Sequence, residues 1–274
     1  MVVVLVTCDP PGDRLDEVLR AIGSQDYPNL AVLVVDAGTA DVTERVRAVL
    51  PEATVHRVPG AGGFGAAANT VLDIVAGAAY YVFAHDDAAP EPGAVRALVA
   101  AAERWQADIV GPKLVDWDDP RRFAQFGMTV DRVGVALPYV QRGELDQGQH
   151  DGLRDVFAVP GGFTLVRADR FAEVGGFDEA IDVLGDDLSL AWRTRVAGGR
   201  VVVAAGARVR HAEAFATRTA GPTASRLAAR HRVRVVLTSY RLPTLVAVLP
   251  QALLLSLVEA VGAVDGAKDG VFLL

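Results

Sequence analysis

Two pairs of adjacent carboxylates hold most of the chemistry that this sequence could perform. Asp86-Asp87 follows the apolar run Tyr80–Ala84 and His85. Ligands of open α/β sheets bind beyond the carboxyl ends of the strands. Carboxylates there are placed to hold a hard cation such as Mg2+ or Mn2+, which in turn can grip a diphosphate. A solvated turn leading to a capped helix fits the same residues. Asp186-Asp187 opens a segment continuing through Leu188, Leu190, Trp192 and Arg193. One of these carboxylates would serve as general base toward a hydroxyl. Simple capping of a helix dipole is the plainer reading of the pair.

Three further features are weaker alone. The glycines of Pro160-Gly161-Gly162-Phe163 would let backbone approach a sugar or diphosphate closely, and a plain bulge explains them equally well. His211 is of a type that ligates Mn2+ or partners phosphate, although a lone histidine is more often a packing residue. Gly60-Ala61-Gly62-Gly63-Phe64-Gly65 matches G-x-G-x-x-G, with Asp86 downstream, and raises a nicotinamide-dependent oxidoreductase as an alternative. That fingerprint should open the first strand-to-helix turn. Here two strand–helix units precede it, and the strand before it contains His56, Arg57 and Pro59.

The chain around these residues is that of a well-packed globular protein. Of 274 residues, 51% are hydrophobic and 22% charged, which excludes a disordered chain and leaves room for one large α/β domain plus an appendage. A net charge of −7 argues against nucleic acid as partner, since that calls for a basic face. The single cysteine, Cys8, excludes an intramolecular disulfide and a cysteine zinc cluster. It is expected to be a small buried hydrophobe. No secretory signal is visible at the start, so a reducing cytoplasmic compartment is the expectation.

Periodicity supplies the elements that must position the carboxylates. Strands are expected at Val2–Thr7, Leu30–Asp36, Ala53–Val58, Tyr80–Ala84, Ala107–Lys113, Val156–Val166 (bent at its glycines) and Arg200–Ala204, with Gly127–Asp131 a further candidate. Helices are expected at Asp13–Gln25, with Leu15, Val18, Leu19 and Ile22 on one side, and from Asp41 through Leu50. Others follow at Gly65–Ala76, Gly93–Trp105, Asp169–Val174 and Asp186–Ala197. Strands alternating with helices imply a mostly parallel sheet covered on both faces.

Taken in order, these blocks resemble the inverting family-two glycosyltransferases of the GT-A fold. Val4-Leu5-Val6-Thr7 resembles the family's first strand. Val34-Val35-Asp36-Ala37-Gly38 resembles the V-V-D-N-G-S block, with Asp36 at the carboxylate aimed at the nucleotide base. Gly62 through Asn69 resembles G-G-x-G-x-A-x-N, and His85-Asp86-Asp87 the metal-binding D-x-D region. Gly161 through Arg167, then Phe171 to Asp178, resembles the acceptor-side signature. Asp186 through Arg193 is similar to E-D-x-D-x-x-W-R, and Val209-Arg210-His211 to the closing V-x-H. Asp146–Asp151 (D-Q-G-Q-H-D) is similar to actinobacterial members.

The resemblance implies a GT-A nucleotide-diphospho-sugar transferase fold over residues 1–215. It implies a nucleotide site with Thr7, Asp36, Gly63, Asn69 and Asp86, and a Mn2+ or Mg2+ site with Asp86, Asp87 and His211. Gly161, Gly162, Phe163 and Trp192 fall on the acceptor side. Asp187 is the implied base, accompanied by Asp186, with Arg193 orienting Asp187 or the phosphates. The donor would be a nucleotide-diphosphate sugar, and the acceptor a saccharide or lipid-linked saccharide of cell-envelope synthesis. Two departures stand out: Asp186 replaces the family's Glu, and Ser189 replaces the second Asp of that motif. The latter raises a catalytically inactive nucleotide-sugar binder as an alternative.

Beyond His211 the composition shifts. Thr217–Arg241 contains Arg218, Arg226, Arg230, Arg232, Arg234 and Arg241, and Leu242–Val264 is almost wholly apolar. Pro250, Gln251 and Glu259 interrupt a membrane span, so an interfacial helix on anionic lipid at the inner face of the plasma membrane is expected. Packing on the catalytic domain or in a homodimer is the alternative. The ending Val271-Phe272-Leu273-Leu274 suggests a piece of a longer, possibly polytopic protein.

Overall fold

The apolar run Val2–Thr7 forms strand β1, buried along its whole length, because flanking strands and helices cover both of its faces. The computed structural model describes residues 1–8, 12, 14–213 and 222–269, with the side chains of 222, 223 and 259–269 left aside. The expectations for Arg218, Glu259 and Val271–Leu274 lie outside what is described. Strands β2 (Ala31–Asp36), β3 (Thr54–Arg57) and β4 (Tyr80–His85) run parallel to β1. Then follow β5 (Ala88–Pro90), β6 (Ile109–Asp116), β7 (Phe123–Gln125) and a separate hairpin of β8 (Met128–Val130) and β9 (Ala136–Pro138). Strands β10 (Phe163–Arg167) and β11 (Val201–His211) complete the set. Among the described residues, nine strands form one sheet in the order β3-β2-β1-β4-β10-β6-β11-β5, with β7 beside β6. Strand β10 is antiparallel to both neighbours, and β11 runs parallel to β6.

Alternation along the strands splits the core in two. Val3 and Leu5 face helices α1 (Leu15–Gly23), α2 (Thr43–Val49) and α5 (Ala94–Trp105). Val2, Val4 and Val6 face α3 (Phe64–Asn69), α4 (Val71–Ile74), α6 (Ala168–Glu173) and α7 (Asp186–Val196). The stripe Leu15, Val18, Leu19 and Ile22 of α1 is wholly buried, as its helical spacing requires. Two long helices close the described chain: α8 (Pro222–Ser239), which packs on α7, and α9 (Leu242–Asp269), which packs on α8.

Several expectations are corrected by local chemistry. The helix expected over Gly65–Ala76 divides at Thr70, whose Oγ1 donates to Ala67 O at 2.7 Å and competes with the helical ladder. The strand expected over Val156–Val166 begins only at Phe163, because Pro160 lacks an N–H and Gly162 turns left-handed at φ +121°. Strand β11 continues past Ala204 to His211 through an irregularity between Ala204 and Arg208. Cys8 is exposed rather than buried, since it lies just past the last paired residue of β1.

Candidate active site

Register brings three distant segments to one point at the carboxyl end of β4. In the antiparallel pairing of β5 and β11, His211 lies opposite Ala88, so its ring sits beside Asp87, with Nε2 3.2 Å from Oδ1. Strand β10 pairs with β4 from the other side, and His85 N donates to Gly162 O at 2.8 Å. Gly162 is the constrained one of the glycine pair: at φ +121° a Cβ there would meet the His211 ring at 3.2 Å, whereas one at Gly161 would only touch the His85 ring at 3.4 Å. His85 also packs edge-on against Phe64, with ring centroids 4.6 Å apart.

His85, Asp87 and His211 each offer one ligand atom within 4.8 Å of the others. His211 is buried, and neither of its ring nitrogens makes a hydrogen bond among the described residues. Two imidazoles and a carboxylate converging in this way suit a divalent transition ion such as Mn2+ better than Mg2+, which prefers oxygen. Burial, followed by the neighbouring His211, pushes the His85 pKa down to about 4, so the ring is neutral and free to ligate at neutral pH. Sequence reading placed His85 in the D-x-D block but named only Asp86, Asp87 and His211 as metal ligands. Beyond β4 the chain turns at Asp86-Asp87 before β5, and the turn directs the two carboxyls to different partners. Asp86 accordingly turns away from the cluster. Its Oδ2 accepts from Thr7 Oγ1 at 3.1 Å and from Gly12 N at 3.3 Å, joining the ends of β1 and β4.

The second carboxylate pair lines a small cleft together with Phe64, Phe83, Gly161, Gly162 and Phe177. Gly185, at φ +117°, turns the chain into α7, so both carboxyls sit at a helix N-terminus. Asp187 Oδ2 accepts from Gly161 N at 3.1 Å, and Oδ1 from Leu188 N at 2.6 Å. Burial raises the pKa of Asp187, and burial plus the charge of Asp187 pushes Asp186 up to about 7. A carboxylate held by backbone donors, but made more basic by its surroundings, is equipped to accept a proton.

The remaining candidates are dispersed. Asp36 is fully buried, and its oxygens accept from Gly38 N, Val42 N and Arg57 Nε at 3.0, 3.3 and 3.0 Å, holding the turn after β2. Asn69 donates to Phe177 O at 3.0 Å and accepts from Phe177 N at 2.8 Å, tying α3 to the turn before α7. A Cβ on Gly63 would stand 2.3 Å from Asp182 O, so this glycine permits backbone-to-backbone contact with the loop leading to α7. Phe163 alternates away from Gly162 and is buried in the core beneath α1 and α5. Trp192 is also buried, edge-on to Phe157 and Tyr240 at 5.1 and 5.0 Å. Arg193 lies six residues beyond Asp187, about 120° around the helix. It donates to Val174 O at 2.6 Å rather than to Asp187. Ser189 is buried within α7.

The segment Asp146–Asp151 clasps β6 from outside. Lys113 Nζ lies 2.9 Å from Asp146 and 2.5 Å from Asp151, and Arg208 Nη1 lies 2.6 Å from Asp146. A larger open depression, about 420 Å³, lies between Trp105 and Asp151–Asp155. It holds none of His85, Asp87, His211, Asp186 or Asp187, the residues with ligand or base chemistry.

A mostly parallel sheet with an antiparallel strand inserted at its centre, and carboxylates and histidines gathered at its carboxyl ends, defines a glycosyltransferase of the GT-A fold. The pattern described as glycosyltransferase-like family 2 matches residues 1–238, and the chain belongs to this family. It is 31% identical over 258 residues to the N-acetylglucosaminyl-diphospho-decaprenol L-rhamnosyltransferase of Mycobacterium tuberculosis, covering 84% of this chain and 81% of the relative. The O-antigen biosynthesis protein RfbC of Myxococcus xanthus is 30% identical over 133 residues, covering 47% of this chain and 10% of that protein. Among solved structures, GalNAc-T7 with UDP, GalNAc and Mn2+ superposes with a TM-score of 0.61 at 13% identity, over 77% of this chain and 42% of that one. S. aureus TarS in complex with UDP-GlcNAc gives 0.59 at 15% identity, over 88% and 67%. At these identities the structures speak to the fold alone.

Proposed function

We propose that this glycosyltransferase moves a sugar from a nucleotide-diphosphate donor to an acceptor hydroxyl in one inverting displacement. The carrying observation is that Asp187 and the His85–Asp87–His211 cluster share the Gly161-Gly162 turn: Gly161 N donates to Asp187, and the turn lies against the rings of His85 and His211. Asp187, oriented by Gly161 N and Leu188 N, takes the proton of the incoming hydroxyl. Burial makes Asp187 more basic than an exposed carboxylate, and the side-chain-free Gly161-Gly162 turn admits the reacting groups against backbone. His85, Asp87 and His211 would hold a divalent ion, Mn2+ or Mg2+ with the imidazoles favouring Mn2+, and such an ion would supply positive charge beside a diphosphate leaving group. Ser189 in place of a carboxylate leaves this scheme intact, because no step uses that position.

The acceptor we infer is a lipid-linked saccharide of the cell envelope, met at the inner face of the plasma membrane. The mycobacterial relative is named for a diphospho-decaprenol compound. Helix α9 leaves Leu242, Val246, Leu253, Leu254, Leu257 and Val258 exposed, and Arg226, Arg230 and Arg241 are exposed nearby in sequence. No helix among the described residues is long and apolar enough to cross a membrane, so the expected contact is interfacial.

Calorimetric titration with UDP, GDP and dTDP, each with and without Mn2+, tests the site. We expect one nucleotide to bind in a metal-dependent way and to lose that dependence in Asp87→Ala. Equal binding by wild type and variant would remove Asp87 and its cluster from the donor site.

A further inference from the structure

The loop that delivers Asp186 and Asp187 is held from outside by the C-terminal helix α8. This loop, from Asp178 to Gly185, ends with two consecutive left-handed residues, Leu184 at φ +57° and Gly185 at φ +117°. A non-glycine residue in that region is sparsely populated and persists only where its surroundings hold it. The holding contacts come from α8. His231 is 1% exposed; its Nδ1 lies 3.2 Å from Leu184 O and its Nε2 3.1 Å from Asp182 Oδ1. The Cβ of His231 also lies over Gly185, 3.7 Å from where a side chain there would begin. One helical turn further on, Arg234 grips Asp178 with two parallel bonds, Nε to Oδ2 at 2.7 Å and Nη2 to Oδ1 at 2.8 Å. The opposite side of the loop rests on the donor-side glycine Gly63, through Asp182 backbone.

We propose that α8 is a working part of the transfer site, with His231 and Arg234 as positioning residues that hold the 178–185 loop so that the carboxylates of α7 face the cleft. The inference rests on the reading of Asp187 as the base. It assigns a role to a stretch that lies beyond the residues 1–215 to which the sequence reading confined the GT-A domain. The family match running to residue 238, almost the end of α8, agrees with that role.

Hydrogen–deuterium exchange on the full chain is the first test, because it needs no substrate. In His231→Phe, which keeps the volume and loses both ring nitrogens, amides of residues 178–188 should exchange about tenfold faster while β1 and β4 keep wild-type protection. His231→Asn, which restores a donor near the Nδ1 position, should recover most of that protection. Arg234→Met gives an independent reading, since its side chain is 43% exposed and its loss leaves the core intact. Unchanged exchange at 178–188 in both His231→Phe and Arg234→Met would overturn the proposal.

Turnover of a panel of UDP-, GDP- and dTDP-sugars, with water as acceptor, adds the catalytic arm. Both variants should lower kcat by about tenfold with donor KM unchanged, and His231→Asn should rescue it. A fall confined to KM would overturn the positioning role. Wild-type turnover that survives in Asp187→Asn, or that is absent across the whole panel, would count against the base and donor readings instead. In either case the exchange data still decide whether α8 holds the loop.

Discussion

Replacing Asp186 with Asn removes one of two adjacent carboxyls while keeping a residue suited to a helix N-terminus. Burial, and then the charge of Asp187, pushes the Asp186 pKa from 3.8 up to about 7 in the folded chain. A carboxyl with a raised folded-state pKa binds its proton more tightly folded than unfolded. Its contribution to stability is therefore largest at low pH and declines as pH rises between the two values. From about pH 5 to about pH 7 the decline corresponds to roughly two units at 1.36 kcal/mol each. The side chain keeps an edge to the cleft, so about half of this is carried, and the expected effect is about 1–2 kcal/mol. His85 works in the opposite sense, since its pKa is lowered to about 4 and its contribution grows with pH up to the ordinary value of 6.5. That term is common to both proteins and cancels in their difference. Asp119, Glu144 and Asp155, each held down to about 2, lose their contributions at still lower pH. Urea unfolding of metal-free protein at about pH 5 and about pH 8 should therefore show Asp186→Asn gaining about 1–2 kcal/mol on wild type across the interval. Parallel pH dependence in the two proteins would refute the claim that the pair is held at an electrostatic cost.

The other predictions concern the metal cluster, the base, a tight turn and the exposed helix face. His85→Ala and His211→Ala should each weaken Mn2+ binding at least about tenfold by calorimetry, and wild type should prefer Mn2+ to Mg2+; equal affinity for both ions would argue against imidazole ligation. Asp187→Asn should lower kcat about 10²–10⁴-fold with nucleotide binding retained, and a loss seen only in binding would place the residue elsewhere in the reaction. Gly176→Ala should cost about 1–3 kcal/mol in unfolding experiments. Its φ is +69°, and a Cβ there would meet Asn69 Oδ1 at 2.5 Å. Binding to vesicles containing anionic lipid should fall when Leu254 and Leu257 become Ser, whereas concentration-dependent dimerisation lost in the same variant would assign that face to self-association.

The sequence alone carried the order and type of most elements and the family itself. Alternation, helical spacing and turn residues are local, and they act the same way wherever the segment finally lies. Val2–Thr7 reads as a buried strand, and Leu15, Val18, Leu19 and Ile22 read as one buried stripe, because periods of 2 and 3.6 residues are written directly in the residue types. The ordered motif blocks likewise identify the GT-A class. What only the tertiary structure decided is which of those motif residues face one another. His211 meets Asp87 through the β5–β11 register, and Gly162 clears space for the His211 ring. Asp86, one residue from Asp87, turns instead to Thr7, while Phe163 and Trp192 sink into the core. His231 reaches the loop before Asp186 from far along the chain. Each of these depends on strand register or on packing between segments distant in sequence, and a one-residue change of register exchanges the faces of a strand without altering its pattern. Local chemistry therefore specifies the elements, and the long-range pairing they are driven into specifies the site.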